Sequence, residues 1–318
     1  MKCINIIILF LLVVASPLFA QQEEQYTQFM NIKQVLNPGF AGSEEALGIT
    51  ALSRNQWLGL DGAPQTQLIS ITAPILNQRI GVGANIQRQS IGATEFYTLD
   101  GVYSYRIKVP RGFLGIGLQA SVRLLRVDFG SLTATQPIAQ DQAIPNGMQS
   151  KYVPNFGAGL YYNTRNFYLG FSVPRLLTSN IDLANSDDII AREVSHAYFM
   201  SGVTVDLGEK FALTPQLLLK YVEGAPFDAD INVTLSMLDK ISTGVSYRLG
   251  GSTETGFGEA LSFILGLQLS ENIMLGLSYD ATVSQLRDFN SGTIEGVFRY
   301  RVKGKSETEN VDNPRFFN

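Results

Sequence analysis

Residues 272–283 read Asn-Ile-Met-Leu-Gly-Leu-Ser-Tyr-Asp-Ala-Thr-Val, and this stretch alternates between two kinds of side chain. The odd positions are Ile273, Leu275, Leu277, Tyr279, Ala281 and Val283, all apolar or aromatic. The even positions are mostly small or polar. Because successive side chains of a β-strand point to opposite faces, this period of two predicts a strand with one apolar and one polar face.

The same period recurs along the chain and predicts fourteen strands. Their expected bounds, each within about 2 to 4 residues, are 46–54, 66–74, 79–88, 95–107, 113–125, 154–163, 166–174, 194–206, 210–222, 229–237, 240–249, 259–269, 272–283 and 293–302. The connections alternate in length. Those after even-numbered strands are short, such as Thr164-Arg165 and Leu238-Asp239, whereas those after odd-numbered strands are longer, up to 126–153 and 175–193.

That asymmetry predicts an all-β fold, a transmembrane antiparallel β-barrel with short periplasmic turns and longer extracellular loops. Closure is expected because an open strand edge in lipid leaves backbone groups without hydrogen bonds. Aromatic residues of the apolar faces are expected in two interfacial belts. Near the turns these are Tyr105, Tyr162, Phe167, Phe211 and Tyr300, and near the loops they are Tyr97, Phe156, Tyr221, Tyr247 and Tyr279.

The composition supports a chain with a large lipid-covered or buried surface. It has 45% hydrophobic and only 16% charged residues, against about 25% charged in a typical soluble domain. Disorder is excluded because the chain combines 19 Phe and 13 Tyr with a net charge of only −4. A pI near 5.2 argues against nucleic acid as a partner, since no basic field would attract phosphates.

The two ends of the chain lie outside the strand pattern. Lys2, an apolar run and a small residue at Ala20 predict a signal peptide over 1–20 that is cleaved after Ala20. The only cysteine, Cys3, would leave with it, which excludes disulfides and thiol ligands in the mature chain. The expected organisation is therefore this signal peptide, a periplasmic or lumenal segment over 21–45, a barrel over 46–302 and a periplasmic tail over 303–318.

The polar faces of the strands carry many glycines. These are Gly81, Gly83, Gly115, Gly117, Gly157, Gly159, Gly170, Gly202, Gly244, Gly266 and Gly276. Glycine permits close approach of another backbone, so one interpretation is a lumen narrowed or filled by a chain segment such as 21–45. The other interpretation is that these glycines relieve the coiling of the strands in a barrel. The sequence leaves both open.

The sequence supports no assignment of a catalytic or metal-binding motif. His196 lies on a polar strand face near Asp206 and could serve a lumenal hydrolase, but a polar lumenal role is favoured because a catalytic triad is defined by geometry. The Gly-x-Gly pairs lie within strands, which disfavours a phosphate-binding loop. Acidic pairs at 44–45 and 187–188 lack the spacing of a calcium loop. The chain is expected to have no cofactor and no enzymatic activity.

The first long connection is the candidate site for contact with a partner protein. Trp and Arg are the residue types most enriched at interface hot spots, and this connection contains both. Its candidate contact residues are Arg54, Asn55, Gln56, Trp57, Asp61 and Gly62. The alternative is a loop folded into the barrel mouth with Trp57 as a packing anchor.

Several stretches give the chain a resemblance to a known family. They are Gln-Tyr-Thr-Gln-Phe-Met at 25–30, Asn-Pro-Gly-Phe-Ala-Gly-Ser at 37–43, Arg-Asn-Gln-Trp at 54–57, Asp-Gly-Ala-Pro at 61–64, Leu-Lys-Tyr-Val-Glu-Gly-Ala-Pro at 219–226, Gly-Val-Ser-Tyr-Arg at 244–248, Gly-Leu-Ser-Tyr-Asp at 276–280 and Pro-Arg-Phe-Phe at 314–317. The chain resembles the PorP/SprF family of type IX secretion system outer-membrane proteins over almost its entire mature length. Where that family frequently has Gly-Thr-His-Glu, this chain has Gly-Thr-Ile-Glu at 292–295.

The resemblance implies an outer-membrane component of a type IX secretion system. Its expected role is to support export or surface attachment of cargo with a C-terminal sorting domain, in some relatives a gliding adhesin. Its expected partners are outer-membrane lipid, periplasmic secretion-system lipoproteins including a peptidoglycan-binding one, and the cargo domain. The alternative function is a general diffusion porin or small-molecule outer-membrane transporter, which would require an open lumen.

Overall fold

The computed structural model describes residues 24–44, 46–131, 147–183, 192–225, 227–250 and 258–302. Fourteen long strands make the wall of the molecule. They are β1 Leu47–Asn55, β2 Gln65–Ile75, β3 Ile80–Ile91, β4 Thr94–Val109, β5 Gly112–Asp128, β6 Met148–Asn163, β7 Phe167–Val173, β8 His196–Val203, β9 Phe211–Val222, β10 Asp228–Met237, β11 Ile241–Leu249, β12 Ala260–Gln268, β13 Ile273–Thr282 and β14 Thr293–Val302.

The strands form a closed antiparallel ring, which confirms the expected fold. Each strand pairs with its neighbours in the sequence, and β1 pairs with β14 from Leu47 opposite Val302 to Asn55 opposite Ile294. The result is a closed barrel of 14 strands. A two-residue strand, Val205–Asp206, continues the pairing of β8 with β9 beyond Thr204. A separate two-stranded ladder joins Ser179–Asn180 to Arg192–Glu193.

Helical elements are short. Among the described residues an α-helix, α1, spans Lys33–Leu36, and 3₁₀ turns span Phe29–Asn31, Pro38–Phe40, Phe129–Ser131 and Gln285–Asp288. Within the described ranges, no helix is long and apolar enough to cross a membrane.

The barrel has two unlike ends. At the turn end, where β1 begins and β14 ends, consecutive strands are joined by connections such as Pro110-Arg111 and 164–166. The connections from β1 to β2, from β5 to β6 and from β7 to β8 are longer, and the strand ends that they join lie at the other end, the loop end. The prediction of a longer connection between the third and fourth strands is wrong, because only Gly92 and Ala93 join β3 to β4.

The reason for that difference is that the wall is taller on one side than the sequence pattern indicated. Strands β4, β5 and β6 have 16, 17 and 16 residues, against 9 in β1. The bounds of β4 and β5 lie within the margin expected of them, whereas β6 begins at Met148 rather than at 154 and β3 continues to Ile91 rather than ending at 88. The residues added to β3, Gln89 to Ile91, are mostly polar, and Arg88 and Glu95 pair with each other beside them.

Alternation separates a lipid-facing surface from a polar lumen. Large apolar side chains such as Ile86, Leu118 and Phe263 are more than half exposed on the outside. Inward positions of the same strands carry buried polar residues such as Asn85 and Gln119. The aromatic residues expected in the two belts fall on the outward positions of their strands. The predicted signal peptide and the tail over 303–318 lie outside the described residues.

Candidate functional site

Residues 24–44, here called the lumenal segment, lie inside the barrel. Gln28, Phe29, Asn37 and Ala41 are fully buried although they belong to no strand of the wall. The segment contains α1 and two of the 3₁₀ turns, so its backbone satisfies part of its own hydrogen bonding. Side chains of the wall satisfy much of the rest, as described below. A chain segment therefore occupies the lumen.

Glycines of the wall provide the space for this segment. A Cβ atom at Gly81, Gly115 or Gly117 would overlap backbone atoms of residues 38–42. A Cβ at Gly83, Gly159, Gly170 or Gly276 would overlap the side chains of Gln34, Asn37 or Gln28. We call the glycine cradle Gly81, Gly83, Gly115, Gly117, Gly159, Gly170 and Gly276. The other inward glycines predicted from sequence, Gly157, Gly202, Gly244 and Gly266, instead adjoin Pro174, Tyr168, Thr234 and Ser242.

Two amide side chains connect the middle of the lumenal segment to the wall. Gln34 Nε2 donates to Ser70 Oγ at 3.2 Å and to Asn85 Oδ1 at 3.0 Å. Asn37 Nδ2 donates to the carbonyl of Leu160 at 3.0 Å, while Asn37 Oδ1 accepts from the N–H of Gly39. Buried amides need such partners because an unpaired polar group away from water is costly. These bonds fix the segment's register against the strands.

An apolar cluster forms on one side of the lumen. It joins the segment to inward side chains of β6, β7, β8 and β9, and its members are Phe29, Leu36, Phe40, Tyr161, Tyr168, Tyr198, Met200 and Leu218. Phe40 and Tyr161 meet edge to face at a centroid distance of 5.2 Å, a favoured geometry for aromatic pairs. Burial of these apolar side chains stabilises the segment against the wall through the hydrophobic effect, which requires no particular orientation of the groups.

On the opposite side, the start of the segment is bound by charged residues. The Glu295 carboxylate accepts from the backbone N–H groups of Thr27 at 3.0 Å and Gln28 at 2.8 Å. The Arg54 guanidinium pairs with Glu295 at 3.1 Å and with Asp280 at 2.9 Å. We call these five residues the polar anchor. Each is at most 2% exposed, so none of its charges is well screened by water.

The hydroxyl of Thr27 completes the polar anchor. It donates to the Asp280 carboxylate at 2.7 Å and accepts from Arg54 Nη1 at 2.9 Å. The Arg54 guanidinium thus pairs with two carboxylates, those of Asp280 and Glu295. Both carboxylates also accept hydrogen bonds from the lumenal segment. A buried charge is tolerated only when it is paired and hydrogen-bonded, so the wall residues and the segment depend on each other.

The middle and the end of the segment carry a second set of ionisable groups, Lys33 and Glu44. Burial inside the barrel lowers the pKa of Lys33 to about 7, and Arg299 adds to this while Glu44 opposes it. The Lys33 ammonium lies 3.6 Å from the ring centroid of Tyr168, a cation–π contact. Burial alone would raise the pKa of Glu44, but the ion pair with Arg299 and the nearby Arg301 hold it below its usual value.

The lumenal segment crosses the barrel from the loop end to the turn end. Gln25 Nε2 donates to Glu259, which directly precedes β12 at the loop end. Glu44 pairs with Arg299, and β1 begins at Leu47, both at the turn end. Arg106 Nη1 also donates to the carbonyl of Gly42 near that end. The segment therefore runs through the lumen along the barrel axis.

The structure divides the residues predicted to contact a partner. Arg54 and Asn55 lie in β1 rather than in the connection, and Arg54 is a buried member of the polar anchor. Arg54 was counted with the connection although it is the last residue of the expected strand 46–54, and it continues the inward alternation of Leu52. It has no surface to offer a partner.

The other predicted contact residues lie in the first connection at the loop end. Gln56 and Trp57 are half-buried, and Asp61 and Gly62 are exposed. Trp57 adopts a φ of 50°, unusual for a bulky residue. Its N–H donates to Thr293 Oγ1 at 3.1 Å.

His196 is buried at the loop end of β8. Its Nδ1 lies 3.0 Å from the carbonyl oxygen of Val194, and its ring stacks on Tyr198 at a centroid distance of 6.4 Å. Across the described part of the chain, no group of three or more His, Cys, Asp or Glu residues could hold a metal ion.

The polar anchor was not predicted, although the sequence held a signal for it. Arg54, Asp280 and Glu295 fall on inward positions of β1, β13 and β14, which adjoin in the closed ring. Opposite charges at neighbouring inward positions of a barrel indicate a buried cluster. The segment that completes the cluster is not visible in the strand pattern, because 24–44 has no period of two.

Comparison with known proteins supports the family resemblance. The family model described as "Type IX secretion system membrane protein PorP/SprF" matches residues 18–300. No curated protein matches the chain.

Solved structures resemble the chain only distantly. The outer membrane protein Omp33 of Acinetobacter baumannii has a TM-score of 0.48 and 10% identity, covering 81% of this chain and 98% of its own. The Ralstonia pickettii toluene transporter TbuX has a TM-score of 0.48 and 8% identity, covering 85% and 93%. The KdgM porin has a TM-score of 0.36 and 9% identity, covering 80% and 98%. No function follows from these likenesses. The match over residues 18–300 identifies the chain as a member of the PorP/SprF family of type IX secretion system membrane proteins, and with it as an outer-membrane barrel.

Proposed function

We propose that this protein supports type IX secretion by contact with other proteins, and that it is neither a diffusion pore nor an enzyme. Its role is export or surface attachment of cargo with a C-terminal sorting domain, which includes gliding adhesins in some relatives. The observation that carries the proposal is the lumenal segment, because a barrel occupied along its axis has little free cross-section for solutes.

The two ends of the barrel suggest two kinds of partner. In outer-membrane barrels the short turns face the periplasm and the longer loops face outward. We assign the turn end to periplasmic lipoproteins of the secretion system, including a peptidoglycan-binding one, and the loop end to the cargo domain. This assignment includes Sec-type export with cleavage after Ala20, which would release the mature chain into the periplasm.

The way in which the segment is held also supports a scaffold. Its attachment combines a buried ion cluster with an apolar cluster, and breaking a buried ion pair costs about 3 to 5 kcal/mol. Spontaneous opening of the lumen by thermal motion is therefore expected to be infrequent. A closed and rigid barrel presents its loops and turns in fixed positions, which favours recognition by partner proteins.

Deletion of the gene tests the proposal in cells. A secreted protein that is encoded beside this gene and has a C-terminal sorting domain should lose its surface location. Reintroduction of the wild-type gene should restore that location. Purified barrel should also retain that cargo domain or a periplasmic lipoprotein. Unchanged surface display together with no retained partner would overturn the contact function and favour a porin.

A matched control separates contact from barrel assembly. Glu95→Ala removes an exposed ion pair of the outer wall, which is worth about 0 to 1 kcal/mol in such positions. This variant should restore surface display as fully as the wild-type gene. A failure of Glu95→Ala would show that the assay reports barrel abundance rather than contact.

A further inference from the structure

A cavity opens at the loop end, above the first residues of the lumenal segment. Its volume is about 420 Å³, within the range of 300 to 1,000 Å³ typical of ligand sites. We call this cavity the vestibule. The lining residues that matter to its chemistry are Gln25, Trp57, Gln89, Phe96, Arg123 and Glu193.

The charges of the vestibule are held in place. Arg123 Nη1 lies 2.9 Å from Glu193 Oε1, and both residues are less than one-tenth exposed. The Arg123 guanidinium also lies 5.6 Å from the ring centroid of Phe96. Arg123 also lies 3.8 Å from the Glu24 carboxylate, and Arg175 lies 3.5 Å from the Glu193 carboxylate. Two guanidinium groups thus balance two carboxylates, and the vestibule does not select for a strongly charged ligand. Fixed polar groups beside an aromatic ring are typical of specific binding sites.

One acceptor in the lining lacks a partner. Gln25 is 8% exposed, and its Nε2 is committed to Glu259 at 3.2 Å. Its Oε1 is buried and has no hydrogen-bond donor in the described structure. A buried acceptor without a donor is costly. Turning the Gln25 side chain toward the vestibule would expose this atom, and a ligand that brings an N–H or O–H group to it would then remove that cost.

Backbone strain lies at the rim of the same cavity. Trp57 holds a φ of 50° that few bulky residues adopt, and its indole is half-buried over the vestibule. Strain of this kind persists where the surroundings impose it, often at binding sites. Trp57 and Phe96 give the cavity two aromatic surfaces for an apolar group.

We propose that the vestibule binds an extended segment of an incoming polypeptide. The barrel already holds irregular backbone directly below, where Glu295 accepts from two successive backbone N–H groups. A peptide supplies what the vestibule lacks, an N–H donor for Gln25 Oε1 and a side chain for the aromatic surfaces. The inference rests on the proposed function, since exported cargo would be the source of the segment.

Peptide capture on the purified full-length barrel tests the site. The probe is a mixture of capped octapeptides randomised at every position without cysteine. Wild-type protein should retain peptides enriched in aromatic and long apolar residues. Gln25→Leu and Trp57→Gly should each lower retention about tenfold, as expected for loss of one buried polar contact or one aromatic anchor. Glycine suits a positive φ, so Trp57→Gly should fold.

The matched control is Phe156→Ala, which removes an outward aromatic ring from the middle of β6. Its peptide retention should equal that of the wild type. Equal retention by all four proteins would overturn the site. Retention of maltohexaose in place of peptides would also overturn it, by showing a saccharide site instead.

The two proposals can fail separately. If the cargo domain co-isolates equally with wild type, Gln25→Leu and Trp57→Gly, the vestibule site is overturned and the contact function stands. If wild-type barrel captures peptides as described but retains no secretion partner and its deletion changes no surface display, the contact function is overturned and the peptide site stands.

Discussion

The lumenal segment is held in two different ways along its length. Its start is bound by the polar anchor, in which Arg54 and two carboxylates contact Thr27 and Gln28. Its later part, 33–42, lies against every member of the glycine cradle except Gly276, which adjoins Gln28, and at Gly81, Gly115 and Gly117 the wall approaches the backbone of the segment. The polar anchor binds the segment through ion pairs and hydrogen bonds, which require a defined direction. The glycine cradle binds it through close steric fit. The comparison teaches that orientation and close fit come from separate residues, which can be changed separately.

The two regions also differ in what a substitution leaves behind. Removing a member of the polar anchor leaves buried charges and N–H groups without partners. Adding a side chain in the cradle leaves every polar contact intact but forces two backbones apart. Both changes should loosen the segment, and the comparison predicts a larger effect from the anchor.

Glu295→Ala should have the largest effect. It removes the acceptor of two backbone N–H groups and one of the two ion pairs of Arg54. Docking of the segment should weaken by about 3 to 5 kcal/mol. The readout is hydrogen–deuterium exchange of 24–44 in purified barrel, with the exposed Glu95→Ala as control. If residues 24–44 remain fully protected from exchange in Glu295→Ala, the polar anchor does not hold the segment.

Gly117→Val should have the next largest effect. Its Cβ would overlap the backbone of Pro38 and Gly39, and overpacking of this kind costs about 1 to 3 kcal/mol. Gly101→Val is the matched control, since Gly101 is a strand glycine with nothing within 4 Å of its Cβ position. Exchange in 33–42 should rise only in Gly117→Val. The same rise in both variants would show that the valine disturbs the strand rather than the cradle.

Docking should also depend moderately on pH through Lys33. The pKa of Lys33 is about 7 when docked, below the ordinary 10.5 of the undocked side chain. Between these values the undocked state holds one more proton, so docking strengthens as pH rises, by up to about 1.4 kcal/mol per pH unit. Below pH 7 the dependence vanishes.

Lys33→Met checks that pH dependence. Protection of 24–44, corrected for intrinsic exchange rates, should increase from pH 7.5 to 9 in wild type and stay flat in the variant. Protection that increases equally in both proteins would assign the dependence to another group. Glu44 does not contribute to the pH dependence of docking between pH 7.5 and 9, because its pKa lies below its usual acidic value.

The last prediction concerns the orientation of the barrel in the membrane, and its cysteine variants are expected to leave function unchanged. Asp61→Cys at the loop end should react with an impermeant maleimide on intact cells, while Arg165→Cys at the turn end should react only after lysis. Both side chains are exposed, so accessibility of the face decides the outcome. Labelling of Arg165→Cys on intact cells would reverse the orientation of the barrel.

Much of the wall could be predicted from the sequence because lipid enforces the alternation of side chains. The stretch around Leu275 and Leu277 identifies a strand without further information. The start of β6 at Met148 could not be predicted, because its first residues, Met-Gln-Ser-Lys at 148–151, do not alternate between apolar and polar side chains. The two-residue connection at Gly92 was missed for the same reason.

The site was less accessible to sequence reasoning. The inward glycines were recognised, but whether they accommodate a segment depends on where residues 24–44 lie, and no periodicity encodes that. Arg54 was assigned to a loop, whereas register places it opposite Glu295. Such a cluster is assembled from β1, β13, β14 and the segment, so its members are distant in sequence and meet only when the barrel closes.

Conductance of the purified protein in a planar lipid bilayer tests the central claim most directly. If residues 24–44 occupy the lumen as the polar anchor and glycine cradle indicate, wild-type protein should show no steady ohmic current. Glu295→Ala should show intermittent openings as the segment loosens. A steady porin-like conductance in the wild type, unchanged by Glu295→Ala, would contradict the account.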